Sequence, residues 1–388
     1  MNMQFKYFKL ELVKPQFDSK LTDYIIKLNA LKSRVLNGNT PPWIFFQIKQ
    51  IFHFLESIGS ARIEGNHTTL AELIDRRIEN IPINKNDKND EKFLEIENME
   101  KALRFIEDNN DYSINKLFIS EVHKIITKGL SVEFEGCREP GYYRTDNVII
   151  NQAEHVPPNN CFVEDYMREL YGFIEDATHS EKYDLIKVAL AHHRFAWIHP
   201  FENGNGRTVR ALTYAMLIKY GFKVHVGRIL NPTAVFCDNR NLYYKALSWA
   251  DAGDEAGLLL WSEYVCKGLS REIEKIDKLL DFDYLNKAIL APCLLKAKAK
   301  NAISDRDYKV LRYMLKNACC IKTGDLKKVL DMEKNPTRAI FIRKMKDEKL
   351  IEKILDKPGY TINLNSGPLF RFLIKELYDN KFIPESLI

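Results

Sequence analysis

A short loop between two apolar segments is the feature that most constrains the fold of this chain. Residues 197–217 read WIHPFENGNGRTVRALTYAML, where the loop-forming run 202–206 separates two segments with helical apolar spacing. Pro200 disfavours a helical backbone at His199, so the first helix is expected to end at that histidine. The sequence therefore predicts two helices joined by a loop, with an imidazole at the end of the first helix.

The glycines and arginines of this loop form a predicted anion site. Gly204 and Gly206 let the backbone approach a ligand closely, and the helix that begins near Arg207 points its free N–H groups at the loop. Arg207 and Arg210 lie three residues apart on one helix face, and guanidinium groups bind phosphate bidentately. A histidine can act as a general base near neutral pH. The loop therefore predicts a polyphosphate cradle in which His199 activates a nucleophile for attack on phosphorus.

Two common phosphate-binding loops do not fit these residues. The GxxxxGK[ST] spacing is absent, and Gly204 and Gly206 have no third glycine three residues further on. A GNG string by itself is usually an ordinary loop. Its combination here with a histidine, a phenylalanine and two arginines indicates a binding site of another kind.

Length, cysteine content and charge bound the class of protein. The 388 residues predict two or three domains, and the absence of an 18-residue apolar run or a signal peptide predicts no membrane contact. Seven cysteines without a CxxC pair favour reduced thiols and a cytoplasmic location over disulfides or zinc. The net charge of +5 is mild, but residues 301–364 hold 15 Lys/Arg against 9 Asp/Glu, so the C-terminal part carries the excess.

Apolar periodicity predicts a mainly α-helical chain. Residues 44–65 show helical spacing with a stop at Gly65, and the polar stretch 82–92 is expected to be a loop. Further helical regions are predicted at residues 93–109, 113–129, 161–176, 182–197, 208–220, 239–250 and 256–300. Between them, residues 141–158 combine turn-formers with alternation through Val148 and Ile150, which predicts a short β-hairpin.

The pattern changes at Ser304. Helices are predicted at residues 304–317, 322–332 and 335–351, followed by two strands within 353–364. Three helices and a hairpin resemble a winged helix-turn-helix domain, whose second helical segment can enter a DNA groove. Two interpretations stay open for residues 301–388: DNA binding, or a packing or dimerisation module that keeps only the shape. The predicted domains are an N-terminal helical region 1–110, a core 111–300 and this C-terminal module 301–388.

Residues 199–210, HPFENGNGRTVR, resemble the signature of the Fic family, H-x-F-x-[D/E]-G-N-G-R-x-x-R. Members typically transfer AMP from ATP to a Ser, Thr or Tyr hydroxyl of a protein. The resemblance extends over roughly residues 40–265 and implies a mainly α, Fic-type helical core with a β-hairpin flap. It also implies that His199 deprotonates the target hydroxyl and that Phe201 anchors the loop in the core.

The same resemblance implies which residues contact the nucleotide. The residues that would hold its phosphates are Gly204, Asn205, Gly206, Arg207 and Arg210, the last on the γ-phosphate. Asn203 departs from the family pattern, because most members place an acidic metal ligand there. An amide oxygen can ligate Mg²⁺ but brings no charge. The implied substrate is ATP together with Mg²⁺.

A second string resembles the inhibitory helix of the family, [S/T]-x-x-x-E-[G/N]. Residues 60–66 read SARIEGN, which places Ser60, Glu64 and Gly65 at the motif positions. Ser60 and Glu64 lie one turn apart on one face, and Glu64 sits in the last turn of its helix, where the dipole disfavours a carboxylate. The family supplies a cationic partner from the second motif arginine, here Arg210. The resemblance therefore implies an inhibited state in which Glu64 removes the ligand of the γ-phosphate.

The 141–158 region matches the flap, which in similar proteins pairs with an extended segment of the target and presents its hydroxyl to the base. Val148, Ile149 and Ile150 are the expected target-binding residues, and hydroxyl side chains beside them are candidates for self-modification. A plain hairpin that only covers the core stays open as the alternative.

The sequence thus predicts a cytoplasmic protein adenylyltransferase that acts on a hydroxyl-bearing protein, in a chain compatible with a homodimer. Two other functions stay open. One is a DNA-binding regulator whose weakly active Fic core responds to nucleotide. The other is de-AMPylation, in which Glu64 positions a water molecule. His192 and His193 are expected to be core or surface histidines rather than metal ligands.

Overall fold

The computed structural model describes residues 5–33, 39–84, 87–150, 154–222, 230–355 and 357–387, and these are mainly helical, as predicted. The helices are α1 Lys20–Ser33, α2 Pro42–Glu64, α3 Leu70–Glu79, α4 Glu91–Asp108, α5 Lys116–Thr127, α6 Val163–Glu175, α7 Asp184–Ile198, α8 Asn205–Lys219, α9 Thr233–Cys237, α10 Arg240–Ala250, α11 Glu255–Asp277, α12 Phe282–Tyr284, α13 Ala291–Ala299, α14 Asp305–Lys316, α15 Leu326–Leu330, α16 Asn335–Asp347 and α17 Leu369–Asp379. The strands are β1 Cys320–Ile321, β2 Ile351–Lys353 and β3 Tyr360–Ile362. None of the helices in these ranges is both long and apolar enough to cross a membrane.

The chain divides into two compact units, each assembled from separate stretches of sequence. Unit 1 comprises Met1–Val35, Phe54–Thr68 and Ile83–Glu274, and unit 2 comprises Leu36–His53, Thr69–Pro82 and Lys275–Ile388. The loop 199–210 and the string 60–66 both belong to unit 1. The predicted C-terminal module belongs to unit 2.

Helices α7 and α8, which flank the loop, form the centre of unit 1. Nearly every residue of both helices is buried, as expected for helices that are apolar or internally bonded on all sides. His192 of α7 lies in this core, where Nδ1 bonds with the Thr213 hydroxyl at 2.7 Å and Nε2 with the Tyr243 hydroxyl at 2.9 Å. This histidine is therefore a satisfied core residue, as predicted.

The second half of α2 is fixed in unit 1 by buried polar and close-packed contacts. Both carboxylate oxygens of Glu56 accept the Thr233 N–H at 3.0 Å, and burial raises the pKa of Glu56 to about 8. One turn further, a Cβ added at Gly59 would lie 3.1 Å from the Cys237 sulfur, so α2 and α9 pack closely there. The helix ends at Glu64, and Gly65 follows with φ 105°, which is the stop that the sequence predicts. The position of Glu64 is thus set by a rigid helix.

The hairpin predicted for residues 141–158 is not seen in the described part of that segment. Residues 141–150 and 154–158 form turns and extended backbone without strand pairing, and residues 151–153 lie outside the described residues. Arg144 supplies the physical reason, because Nη1 donates to the Asp146 carbonyl at 2.8 Å and Nη2 to the Pro158 carbonyl at 2.6 Å. A side chain, rather than a facing strand, satisfies these backbone oxygens.

Unit 2 contains the small antiparallel sheet of the structure. Helices α14, α15 and α16 are followed by β2 and β3, which pair with Ile351 opposite Ile362, and β1 pairs with the other side of β3. The sequence predicts the three helices and the hairpin, but not β1. Within the helical region predicted at 256–300, Asp281 interrupts the helix by accepting the Asp283 N–H at 2.9 Å, and the chain resumes through a π-helical stretch, Leu285–Leu290.

Candidate active site

His199 ends α7 in the left-handed conformation. Its φ is 52° and its ψ is 61°, and its N–H donates to the Phe195 carbonyl at 3.0 Å. A left-handed backbone conformation is uncommon in residues other than glycine and persists only where neighbouring contacts stabilise it. Arg144 holds it here: Nε donates to the His199 carbonyl at 2.8 Å, and the Arg144 backbone N–H donates to the Pro200 carbonyl at 2.8 Å. Arg144 therefore fixes the turn that presents the imidazole, a role that the sequence does not predict.

The half-buried imidazole of His199 is neutral at physiological pH. Burial lowers its pKa to about 4, and the positive charge of Arg144 acts in the same direction. A neutral imidazole has a free nitrogen lone pair and can accept a proton from a hydroxyl group. The role of His199 as a base stays a prediction, and a neutral imidazole is the protonation state which that role requires.

Phe201 and Asn205 hold the interior of the loop. Phe201 is fully buried and stacks on the His123 ring, with centroids 3.7 Å apart and planes at 8°. The Asn205 side chain accepts the Phe201 N–H and donates to the Phe201 carbonyl, both at 2.9 Å. Phe201 therefore anchors the loop in the core of unit 1 and does not face a ligand. Because the Asn205 amide is committed to Phe201, a contact of Asn205 with phosphate has to come from its backbone.

His123 of α5 is a buried residue of the site that sequence analysis misses. Its Nδ1 accepts the Gly141 N–H at 2.8 Å, so Nε2 carries the proton and donates to the Asn203 carbonyl at 2.9 Å. Burial lowers the pKa of His123 to about 4, which keeps the ring neutral. The ring thus joins the motif loop to the start of the 141–158 segment.

The two polar residues before Gly204 differ in direction. Glu202 accepts the Arg138 N–H at 3.0 Å and is therefore turned toward residues 137–138. The Asn203 side-chain oxygen accepts the Gly204 N–H at 2.7 Å. Among the described residues, no group of three or more His, Cys, Asp or Glu side chains could hold a metal ion. A neutral amide oxygen that already accepts a hydrogen bond is a poor dedicated Mg²⁺ site.

The N-terminus of α8 lies where the sequence predicts an anion cradle, and the carboxylate of Glu64 lies against it. Gly204 precedes the helix with φ 74°. A Cβ added at Gly206 would overlap the Glu64 carboxylate, whose Cδ would lie 2.9 Å away. The free N–H groups and the positive end of the helix dipole favour an anion at this place. The close approach that glycine allows here is therefore used by a carboxylate of the chain itself.

Arg210 clamps this carboxylate from the side. Its Nη2 donates to Glu64 Oε1 at 2.6 Å and to the Ser60 carbonyl at 2.9 Å, while Nε donates to the Ser60 hydroxyl at 2.9 Å. Burial alone raises the pKa of Glu64, but the charge and hydrogen bond of Arg210 outweigh it and hold that pKa below its ordinary value. The structure thus brings together the predicted residues Ser60, Glu64 and Arg210.

Arg207 is completely buried and is partly neutralised. Its Nη2 donates to the backbone carbonyl of Glu135 at 2.6 Å and to the carboxylate of Glu135 at 2.7 Å, while Nε lies 3.6 Å from Glu95 Oε1. Within the described part of the chain, Nε and Nη1 have no hydrogen-bond partner. Unpartnered donors on a buried guanidinium group suit a ligand that brings acceptors, such as a phosphate. Glu95 and Glu135 are not predicted from the sequence.

The residues expected to bind a target lie beside this site in the segment held by Arg144. Ile149 is 84% exposed, and Val148 and Ile150 are half-buried. A large apolar side chain with this exposure, next to an extended backbone, is available to a partner.

Comparison with known proteins finds similarity in the part of the chain that contains the motif loop. Residues 113–217 match the family profile described as Fic/DOC family. The chain is 27% identical over 239 residues to "Protein adenylyltransferase Fic" of Nematostella vectensis, covering 62% of this chain and 52% of that protein. It is 30% identical over 207 residues to the protein of the same name from Drosophila yakuba, covering 52% and 37%. The chain thus spans about half the length of these relatives, or less.

Solved structures share the fold. A Fic family protein from Desulfovibrio desulfuricans G20 superposes with a TM-score of 0.54 at 19% identity, covering 92% of this chain and 98% of that one. Fic-1 from C. elegans, residues 134–508, superposes with a TM-score of 0.51 at 20% identity, covering 66% and 71%. Residues 113–217 of this chain are therefore similar to the Fic/DOC family in sequence, and the helical fold that surrounds the motif loop is similar to that of solved Fic proteins.

Proposed function

We propose that this protein transfers AMP from ATP to a hydroxyl side chain of another protein, and that Glu64 restrains the reaction. The observation that carries the proposal is the carboxylate of Glu64 in the α8 cradle, paired with Arg210. A site that accommodates one anion among N–H groups and two arginines suits a polyphosphate. The names of the curated relatives support adenylyl transfer as the reaction.

The chemistry assigns a separate role to each part of the site. The target hydroxyl oxygen forms a bond to the α-phosphorus of ATP while its proton passes to His199. The bond between the α-phosphorus and the bridging oxygen to the β-phosphate breaks, and pyrophosphate leaves with the electron pair. N–H groups of α8 and the guanidinium of Arg207 stabilise the charge on the phosphates. Mg²⁺ would enter with the nucleotide as part of the MgATP substrate. Asn203 occupies the motif position at which an oxygen ligand for Mg²⁺ would be expected.

The target protein docks along residues 148–150 in this proposal. An extended segment of the target can form main-chain hydrogen bonds with an exposed backbone edge, while every second side chain of that segment packs against the surface beside the edge. Exposed Ile149 gives an apolar contact for such a segment. Because Arg144 links this segment to the His199 backbone, docking there would place a hydroxyl near the base.

Replacing Glu64 with glycine tests the proposal. Glu64→Gly frees Arg210 and empties the cradle, so incubation with Mg²⁺ and α-³²P-labelled ATP is expected to give at least about tenfold more protein-bound label than the parent, the shift expected for a lost restraint of ~1.4 kcal/mol. Glu79→Gly is the matched control, because Glu79 is an exposed glutamate that also ends a helix, α3. Label on neither the parent nor Glu64→Gly would reject the proposal. Loss of AMP release from prelabelled protein in Glu64→Gly would instead favour de-AMPylation.

A second candidate function, nucleic-acid binding, is favoured by one face of unit 2. Lys309, Arg312 and Lys316 are exposed on α14 at positions that share a face, and none of them makes an ion pair with another described residue. They line a groove of about 540 Å³ together with Tyr308 and Tyr313. Exposed cations beside aromatic rings suit phosphate groups and bases.

Helix α16, the third helix of the predicted winged-helix module, is less suited to phosphate contact. Lys344 pairs with Asp307 at 3.1 Å and with Glu348 at 3.2 Å. Arg338 donates to the carbonyls of Met332 and Glu333, both at 2.7 Å. The cations of α14 are therefore the better candidates.

Removing the α14 cations tests the second candidate. In the full-length chain, the triple change of Lys309, Arg312 and Lys316 to alanine is expected to reduce the slope of log K against log salt for duplex DNA by about 2–3, since each phosphate contact contributes about 0.9. Alanine at Lys334, Arg343 and Lys346, on or beside α16, is the control. If the parent protein shows no salt-dependent binding of duplex DNA, this second function is rejected. If only the control variant loses DNA affinity, the phosphate contacts belong to α16 instead of α14.

A further inference from the structure

The carboxylate of Glu135 is a second acidic group that pairs with a motif arginine. We infer that Glu135 is a restraint on nucleotide binding at Arg207, in parallel with the restraint that Glu64 places on Arg210. The inference rests on the proposed function, because it names a further determinant of nucleotide affinity at the same site.

The contact between Glu135 and Arg207 is specific and buried. Arg207 is fully buried, and its Nη2 receives two acceptors from one residue, the carbonyl and the carboxylate of Glu135, at 2.6 Å and 2.7 Å. Each motif arginine therefore has a carboxylate within 2.7 Å: Arg207 has Glu135 and Arg210 has Glu64. The two ion pairs come from separate parts of the chain, a loop before the 141–158 segment and the end of α2.

The loop that carries Glu135 is held in place. The Gly136 N–H donates to the Ser131 carbonyl at 2.8 Å, and a Cβ at Gly136 would overlap the Leu130 carbonyl. The Ser131 hydroxyl donates to Glu91 of α4 at 2.7 Å. A turn fixed in this way delivers the Glu135 carboxylate to Arg207 in one arrangement.

The carboxyl groups around Glu135 compete with an incoming anion for the two arginines. The groups that face Glu135 are Arg207 and Arg210 from α8, Glu95 from α4 and Glu64 from α2, and His123 from α5 adds no charge because it is neutral. Three carboxyl groups thus face two guanidinium groups before any phosphate arrives; burial raises the pKa of Glu95 and Glu135, whereas Arg210 holds that of Glu64 below its ordinary value. A polyphosphate adds several negative charges, so it must displace these carboxylates or find them protonated.

Neutralising Glu135 should release the charge of Arg207 without removing its support. The backbone carbonyl of Glu135 bonds to the same Nη2, so this contact survives a change in the side chain. Burial raises the pKa of Glu135 to about 7, while the charge of Arg207 opposes the rise. The carboxyl is therefore ionised well above pH 7 and neutral well below it, and the restraint weakens as pH falls through that range.

The test is calorimetric titration with an α,β-methylene ATP analogue and Mg²⁺, which reports binding without turnover. In full-length Glu64→Gly protein, adding Glu135→Gln is expected to lower the Kd about tenfold at pH 8.5, because a close charge pair is removed from the phosphate site. At pH 5.5 the difference is expected to shrink several-fold, because the Glu135 carboxyl takes up a proton as pH falls; loss of the Glu64 charge lowers the pKa of Glu135 and so moves this change to lower pH. Glu133→Gln is the matched control: it removes an exposed glutamate two residues earlier in the same loop, and no change is expected.

The outcomes separate this inference from the proposed function. Nucleotide binding by Glu64→Gly with equal or weaker binding by Glu64→Gly/Glu135→Gln overturns the inference alone and makes Glu135 a support for Arg207. Absence of binding in every variant overturns the proposed function as well. Thermal unfolding of each variant shows whether it is folded, and Glu135→Ala serves as the second variant if the glutamine form is not. The same decrease in Kd in Glu133→Gln would also overturn the inference, because removal of any negative charge from this loop would then explain the tighter binding.

Discussion

Replacing His199 with alanine in the Glu64→Gly protein is expected to lower the rate of AMP transfer by about 10²–10⁴-fold, the usual contribution of a positioned general base. The Glu64→Gly background is needed because the restraint on Arg210 would otherwise limit both proteins. Binding of the ATP analogue should change little, since the imidazole lies at the lip of the cradle and the phosphates are held by α8. The measurement is the initial rate of label transfer at saturating ATP, together with a calorimetric Kd.

The pH dependence of the same rate gives an independent check. Burial, reinforced by Arg144, lowers the pKa of His199 to about 4, and the Glu64 carboxylate opposes this shift. Removing Glu64 should therefore lower that pKa further. A base whose pKa is depressed stays unprotonated as pH falls, so kcat should be nearly flat between pH 8 and about pH 5. An ordinary histidine would be about nine-tenths protonated at pH 5.5. A loss of kcat with a midpoint near 6.5 would contradict the structural assignment of this base.

Replacing Arg144 with alanine is expected to damage both stability and transfer. Its guanidinium donates to four carbonyl oxygens, those of His199, Asp146, Pro158 and Ile198. Buried acceptors that lose their donors cost about 1–3 kcal/mol each where water cannot replace the donor. A decrease of about 3–4 kcal/mol in the free energy of unfolding follows if water reaches some of them. Displacement of the base should also reduce transfer by about 10²-fold, because small errors in position are costly.

The control for this variant is Arg168→Ala. Arg168 is 71% exposed and pairs only at the surface with Asp165, at 3.0 Å, so its loss should change stability by less than about 1 kcal/mol. Urea denaturation measures the first effect. The label-transfer rate in the Glu64→Gly background measures the second. Equal stability and rate in Arg144→Ala and Arg168→Ala would show that Arg144 does not hold the His199 turn.

Helices were predictable where local signals mark them. The spacing of residues 44–65 and the glycine at its end predict α2 nearly to its limits, and Pro200 predicts the end of α7. Strands were harder to predict. The alternation through Val148 and Ile150 indicates a hairpin, but carbonyls of that segment are satisfied by Arg144 instead. Strand β1 has two residues, which is too short to produce a pattern in the sequence.

The residues of the site also fall into those that local sequence signals mark and those that they do not. His199, Arg207, Arg210 and Glu64 belong to strings whose internal spacing indicates their chemistry. Nothing local marks His123, which contacts Asn203 80 residues away, or Glu135, which contacts a motif arginine 72 residues away. Their roles depend on tertiary contacts, so a single sequence does not reveal them. Asn205 shows the limit of motif reasoning, because its side chain serves the loop rather than a ligand.

The rigid attachment of α2, which carries Glu64, has a consequence for how nucleotide binding depends on nucleotide concentration. A group tethered beside its own binding site competes with dissolved ligands at an effective concentration that geometry sets, commonly in the millimolar range or above. The contacts of Glu56 and Gly59 leave the Glu64 carboxylate little freedom to leave the cradle. Under the proposed restraint, free nucleotide competes with the tethered carboxylate, which raises the apparent Kd for the nucleotide. Because the competitor is part of the chain, this increase is a constant factor: binding stays hyperbolic in nucleotide concentration, and its midpoint moves upward by an amount that the stability of the Glu64–Arg210 contact sets.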